Sequence, residues 1–105
     1  MKKVERLTKT VDERAEVRCA NSRGIIREEV WQDSKGNVAK YNLAFVNLHL
    51  CAEDNGRVQG YDNNHGEHHR HYMGAAGTFN FTNYEELLSR FLAEVHELRA
   101  LRVGP

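Results

Sequence analysis

Proline is almost missing from this sequence, its one copy being the last residue, Pro105. No fixed-φ breaker therefore interrupts a strand or helix. Cysteine is scarce too, with only Cys19 and Cys51. That excludes a disulfide-dense scaffold and a Cys-x-x-Cys metal or redox motif. Long apolar runs are absent, and nothing approaches the length needed to span a bilayer. Met1 to Thr10 is charged and has no apolar core, so no secretory leader is expected. These absences predict a cytoplasmic protein with reduced thiols and no membrane contact. Charge of one sign is also lacking: 15 Lys and Arg balance 15 Asp and Glu. A polybasic coat for nucleic acid or for an anionic membrane is thereby disfavoured. There is no Walker loop, no G-x-G-x-x-G and no serine-triad signature.

What is present fits one small domain. A chain of 105 residues can bury one modest core. The pattern predicts a single α+β domain over 1–105. Residues 1–20 read as a charged arm or short helix. Residues 24–81 read as an antiparallel meander of about four strands, and 82–102 as a C-terminal amphipathic helix packed on one face.

The strands follow from composition and turns. Ile25 to Gln32 is rich in β-branched and aromatic residues. Asp33-Ser34-Lys35-Gly36 is a four-residue turn with glycine last. Val38 to Cys51 reads as a long central strand with both faces partly apolar, and it carries His49. Asp54-Asn55-Gly56 signals a hairpin, since Asn-Gly tolerates the positive φ such turns need. Arg57 to Tyr61 should return antiparallel. Asn63 to Glu67 reads as a loop, His68 to Met73 as a strand and Gly74 to Gly77 as a loop. Thr82-Asn83-Tyr84-Glu85 fits a capping box. Leu87, Leu88, Phe91, Leu92, Val95 and Leu98 then recur at helical spacing.

Four of the six histidines fall in one stretch, Asp62-Asn63-Asn64-His65-Gly66-Glu67-His68-His69-Arg70-His71. It straddles a turn, so it lies at a sheet rim, where function is often placed. If His68 to Met73 is extended, His69 and His71 point to one side. His68, Arg70 and Tyr72 then point to the other. Three readings are open. His69 and His71, with His65 or Asp62, are donors suited to a divalent metal, although their spacing matches no closed zinc motif. Alternatively, imidazoles perform acid–base chemistry on RNA, one taking the 2′-hydroxyl proton and another protonating the leaving oxygen. Arg70 would hold the phosphate. Or the histidines and asparagines form a polar network that pins the hairpin.

The segment Arg57-Val58-Gln59-Gly60-Tyr61-Asp62-Asn63-Asn64-His65-Gly66, with His68-His69-Arg70-His71, a short loop and the helix from Tyr84, resembles the TumE-type toxins of bacterial toxin–antitoxin pairs. Asn64 stands where those proteins carry a small residue or proline. The likeness spans about Ile25 to Leu98. It implies a growth-inhibiting toxin neutralised by a helix-turn-helix antitoxin encoded beside it, with RNA as the class of target. Carried over by residue, it marks Asp62, His65, His69 and His71 as candidate catalytic groups. Asn63 joins them as a group that bonds a base or backbone. Arg70 and His68 complete the candidate substrate-binding set. Two other functions compete: a protein-interaction or homodimerising domain that uses the helix stripe, and a divalent-metal-binding protein.

Overall fold

The computed structural model describes residues 6–104. It is an α+β fold, with one antiparallel sheet and one helix. The strands are β1 (Thr8–Arg18), β2 (Arg23–Gln32), β3 (Val38–Val46), β4 (Arg57–Asp62), β5 (His69–Tyr72) and β6 (Ala75–Thr78), and the helix is α1 (Tyr84–Leu98). The strands lie in sequence order, each paired with the next.

The meander has six strands rather than about four. One addition is β1, which replaces the arm or short helix expected over 1–20; residues 1–5 lie outside the described residues. Its composition is mostly charged, so periodicity does not reveal it. Pairing along nearly all of β2, from Thr8↔Gln32 to Arg18↔Arg23, decides it. The charges that hide the strand also blunt an exposed sheet edge against stray pairing. The other addition is β6, expected as a loop. Met73 (φ 48) and Gly74 (φ 86) form the turn between Tyr72 and its partner Ala75. Positive φ at both central positions gives the turn the twist that a two-residue hairpin requires.

Strand β3 ends at Val46, short of the expected Cys51. Asn47 reverses the chain: its Oδ1 accepts from His49 N at 3.0 Å, and its carbonyl accepts from Leu50 N and Cys51 N at 3.1 and 3.0 Å. His49 is consequently exposed on a turn and not on the central strand. Asp54, Asn55 and Gly56 take positive φ, as the hairpin signal predicts. They close a longer connection through Asn47 N to Gly56 O at 2.8 Å, not a two-residue turn.

The helix starts one residue later than the expected box. Asn83 is its N-cap and accepts from Glu86 N at 2.8 Å, while Thr82 Oγ1 donates to Glu86 Oε2 at 2.7 Å. It has 15 residues, Tyr84–Leu98, and does not reach 102. Leu87, Phe91, Val95 and Leu98 face Tyr41, Leu43 and Phe45 of β3 and Val58 and Tyr61 of β4. A helix this long spans about 22 Å, while the described residues extend 59 Å in their longest direction. One helix thus covers only the middle of the sheet. The other sheet face carries no second layer among the described residues and is free to present polar groups.

Candidate active site

Strands β4 and β5 pair with Gly60 opposite His71 and Asp62 opposite His69. Alternation then sends Asp62, His69 and His71 to the face away from α1. The contacts agree. His71 Nε2 lies 2.8 Å from Asp62 Oδ2, and the His69 and His71 rings are 6.5 Å apart. Asp62 is buried, and the His71 side chain is only 16% exposed.

A third side chain reaches this pair. By simple alternation Arg57 would join Gln59 and Tyr61 beneath the helix. A bulge prevents this: Phe45 pairs with Gln59 but Val46 pairs with Arg57, so Val58 has no direct partner. Val58 turns into the core, and Arg57 is re-aimed to the outer face. Its Nη2 lies 3.1 Å from His71 Nδ1. Its Nε and Nη2 also donate to Asp54 at 2.7 and 3.1 Å. This bond holds the Asp54 carboxyl below the usual carboxylate range, against the opposing effect of burial.

The contacts fix the tautomer. A guanidinium can only donate, so Nδ1 of His71 accepts from Arg57. The ring proton of the neutral imidazole then sits on Nε2 and is donated to Asp62. Asp62 therefore orients His71, and Nδ1 is the lone pair, covered by Arg57. Gly60 makes the arrangement possible. A Cβ there would lie 2.9 Å from Arg57 Cδ and 2.6 Å from Leu43 O, so no other residue leaves room for the arginine to cross.

The remaining candidates are placed elsewhere. His65 (φ 72) is exposed at the tip of the β4–β5 turn. Asn63 is occupied by β3: its Oδ1 accepts from Tyr41 N and its Nδ2 donates to Ala39 O, both at 3.0 Å. His68 faces the helix side, stacked on Phe81 at 4.2 Å, with Nδ1 2.7 Å from Tyr41 Oη. Burial raises the Tyr41 hydroxyl above its ordinary range, so it stays protonated and donates. Arg70 also faces the helix, donating to Glu94 Oε2 at 2.7 Å and to Tyr61 Oη at 3.1 Å, with its guanidinium over the Tyr72 ring. Arg70 therefore shares no site with His69 and His71. Tyr41 and Tyr61 are fully buried.

His65, His69 and His71 are not brought together as a ligand set in this structure. His65 is not gathered with the other two, and both nitrogens of His71 are already engaged, one by a cation. Among the described residues, no three of His, Cys, Asp and Glu are grouped as ligands. Cys19 and Cys51 are buried and unpaired with one another.

Sequence reading missed Arg57, Asp54 and Glu94. The first two stand three apart around the Asn-Gly signal, the spacing of a local ion pair, which was a usable clue. Glu94 stands three residues after Phe91 and four before Leu98, on the sheet-facing side of α1, so a carboxylate inside the apolar stripe was its signal. Its role as the shared acceptor for Gln59, Tyr61 and Arg70 appears only once the helix docks.

The fold and site define a small α+β protein with an aspartate-oriented histidine on the open face of a six-stranded meander. The family model described as Toxin TumE matches residues 3–99, and the chain belongs to that family. The match extends over β1, which the resemblance read from Ile25 onward did not include. No curated protein matches the chain, and no solved structure does. Membership supports a toxin role and implies, in general, an antitoxin partner. No helix among the described residues is long and apolar enough to cross a membrane.

Proposed function

We propose that this chain is the toxin of a bacterial type II toxin–antitoxin pair, acting in the cytoplasm on RNA through Asp62, His71 and His69. The observation that supports it is the 2.8 Å Asp62–His71 bond beside His69 on an open sheet face, in a chain of a toxin family. Nδ1 of His71 takes the proton of a 2′-hydroxyl as the 2′-oxygen attacks the adjacent phosphorus. The O2′–P bond forms and the P–O5′ bond breaks. His69 in its protonated form gives a proton to the departing 5′-oxygen, leaving a 2′,3′-cyclic phosphate. Asp62 stabilises the imidazolium that forms on His71, because its carboxylate already holds the Nε2 proton. His65, exposed at the turn tip, takes no part in the proton transfer.

Induced expression in a bacterial host tests the reading. The parent should arrest growth and degrade RNA, and His69→Ala with His71→Ala should do neither. Equal toxicity of that double variant removes the catalytic role. Co-expression of an adjacent helix-turn-helix gene should restore growth.

A second reading, protein interaction, is favoured by a different feature. Beside α1 the helix-side face of β1 and β2 is left open, with a cleft of about 220 Å³ lined by Ala15, Ile26, Leu88 and Leu92. Leu92 is 47% exposed there. An antitoxin segment or a second copy of the chain would bury these groups. Light scattering of the chain alone, and with the antitoxin, separates the two. A lone monomer whose antitoxin binding is unchanged by Leu92→Glu would end this reading.

A further inference from the structure

We propose that Arg57 is the phosphodiester-binding group of this site, and that a bound phosphate takes its guanidinium from His71 and so uncovers the base. The inference rests on the RNA reading above and assigns the substrate contact within it.

Three observations carry it. First, Arg57 is the only Lys or Arg side chain among the described residues that touches the imidazoles of the outer face; Arg70 is committed to Glu94 on the other. Second, its donors are unequally used. Nε and Nη2 are fixed on Asp54, which anchors the side chain, while Nη1 reaches only Asp62 Oδ2, at 3.5 Å. The donor edge made by Nη1 and Nη2 thus points at the His71 Nδ1 position with capacity to spare. Third, the present partner is weak. Nδ1 is a neutral acceptor, whereas an anionic phosphate oxygen adds a direct charge–charge attraction to the guanidinium and can pair with two of its N–H groups. A phosphodiester oxygen arriving at this edge outcompetes the imidazole. Asp54 keeps the guanidinium nearby, so the movement needed is a swing about that anchor.

The consequence is a base exposed by its own substrate. In the unbound protein Nδ1 is capped by Arg57 and cannot take a proton from solvent groups without breaking that bond. When the phosphate holds Arg57, Nδ1 is open beside the same phosphate, where the 2′-hydroxyl lies. Arg57 does not itself exchange a proton, since a guanidinium remains charged.

The test uses the full chain and a 2′-O-methyl oligoribonucleotide, which keeps the phosphates and lacks the nucleophile. Affinity is measured across salt concentrations for the parent, Arg57→Gln, Arg57→Lys and His71→Ala. The expected result is an affinity loss of about tenfold for Arg57→Gln, with a salt slope lower by about 0.7, the value for one phosphate contact on a single strand. Arg57→Lys should recover the slope, and His71→Ala should keep the parent's slope. Parent-like affinity and slope in Arg57→Gln would overturn the assignment while leaving the RNA reading intact. Failure of the parent itself to bind would overturn both. Should Arg57→Gln not fold, as circular dichroism would show, the His71 ring nitrogens of the parent decide by NMR. Nδ1 should shift on saturation with the oligonucleotide while Nε2 keeps its proton; an unmoved Nδ1 refutes the exchange of partners.

Discussion

Asp62 and His71 sit diagonally on neighbouring strands, and their side chains meet at 2.8 Å on the sheet face that the helix leaves bare. The carboxylate is buried, and the ring it orients reaches the surface. An inner anion holding an outer imidazole is the arrangement that lets a base take up a proton with its partner already in place.

Asp62→Asn therefore tests orientation apart from folding. An amide at this position no longer stabilises the imidazolium. RNA cleavage should fall by about 10²–10⁴-fold, the range ascribed to a positioned acid–base group. The melting temperature should move little. Parent-level cleavage in a folded variant would show that the pair is structural.

Glu94 should matter for stability and not for chemistry. It accepts from Gln59 Nε2 at 2.6 Å and Arg70 Nη2 at 2.7 Å, and also from Tyr61 Oη. Burial raises the Tyr61 hydroxyl above its ordinary range, and Glu94 raises it further, so the tyrosine stays a donor. Glu94→Ala strands these donors at a partly exposed site, at a cost of about 2 kcal/mol. Urea unfolding measures it. A loss of RNA cleavage by folded Glu94→Ala would place a function on the helix side instead.

Gly60→Ala should be harmful out of proportion to one methyl group. Its Cβ would meet Leu43 O at 2.6 Å, a backbone atom that cannot swing away, and Arg57 Cδ at 2.9 Å. Overpacking of this kind costs about 1–3 kcal/mol. The displaced Arg57 should also weaken oligonucleotide binding. Thermal melting and the binding titration check the two effects separately.

Phe91→Ala empties the centre of the helix–sheet contact, where the ring is fully buried and meets Tyr61 edge-on. The expected loss is about 3–5 kcal/mol. For a domain of this size that approaches the whole stability. Failure to see a cooperative melt, or a large fall in its midpoint, is the expected readout; a parent-like melt would show that α1 does not hold the fold.

Acid should destabilise the chain through Asp54. Its folded-state value is depressed, chiefly by the Arg57 hydrogen bond. A depressed carboxylate contributes stability in full above its unfolded value and loses it as pH falls through the folded one. The loss should therefore begin near pH 4, about the ordinary aspartate value, and deepen below it. Arg57→Gln should flatten this part of the profile; an unchanged acid slope would deny the coupling.

Composition and pattern by themselves determined the α+β class, the apolar face of α1, the turns at Asp33–Gly36 and Asn55-Gly56, and the placing of His69 and His71 opposite His68 and Arg70. Each follows from local rules: helical spacing, turn residues with positive φ, and the two-residue alternation of a strand. Tertiary structure decided the rest. β1 exists because β2 offers it a partner, whatever its own charges prefer. Asn63 and His68 were claimed by Tyr41 and Phe81, which lie far along the chain. The bulge at Val58 turned Arg57 to the outer face and put it on His71, which strict alternation forbids. A bulge is set by how two strands register, so no single stretch of sequence records it.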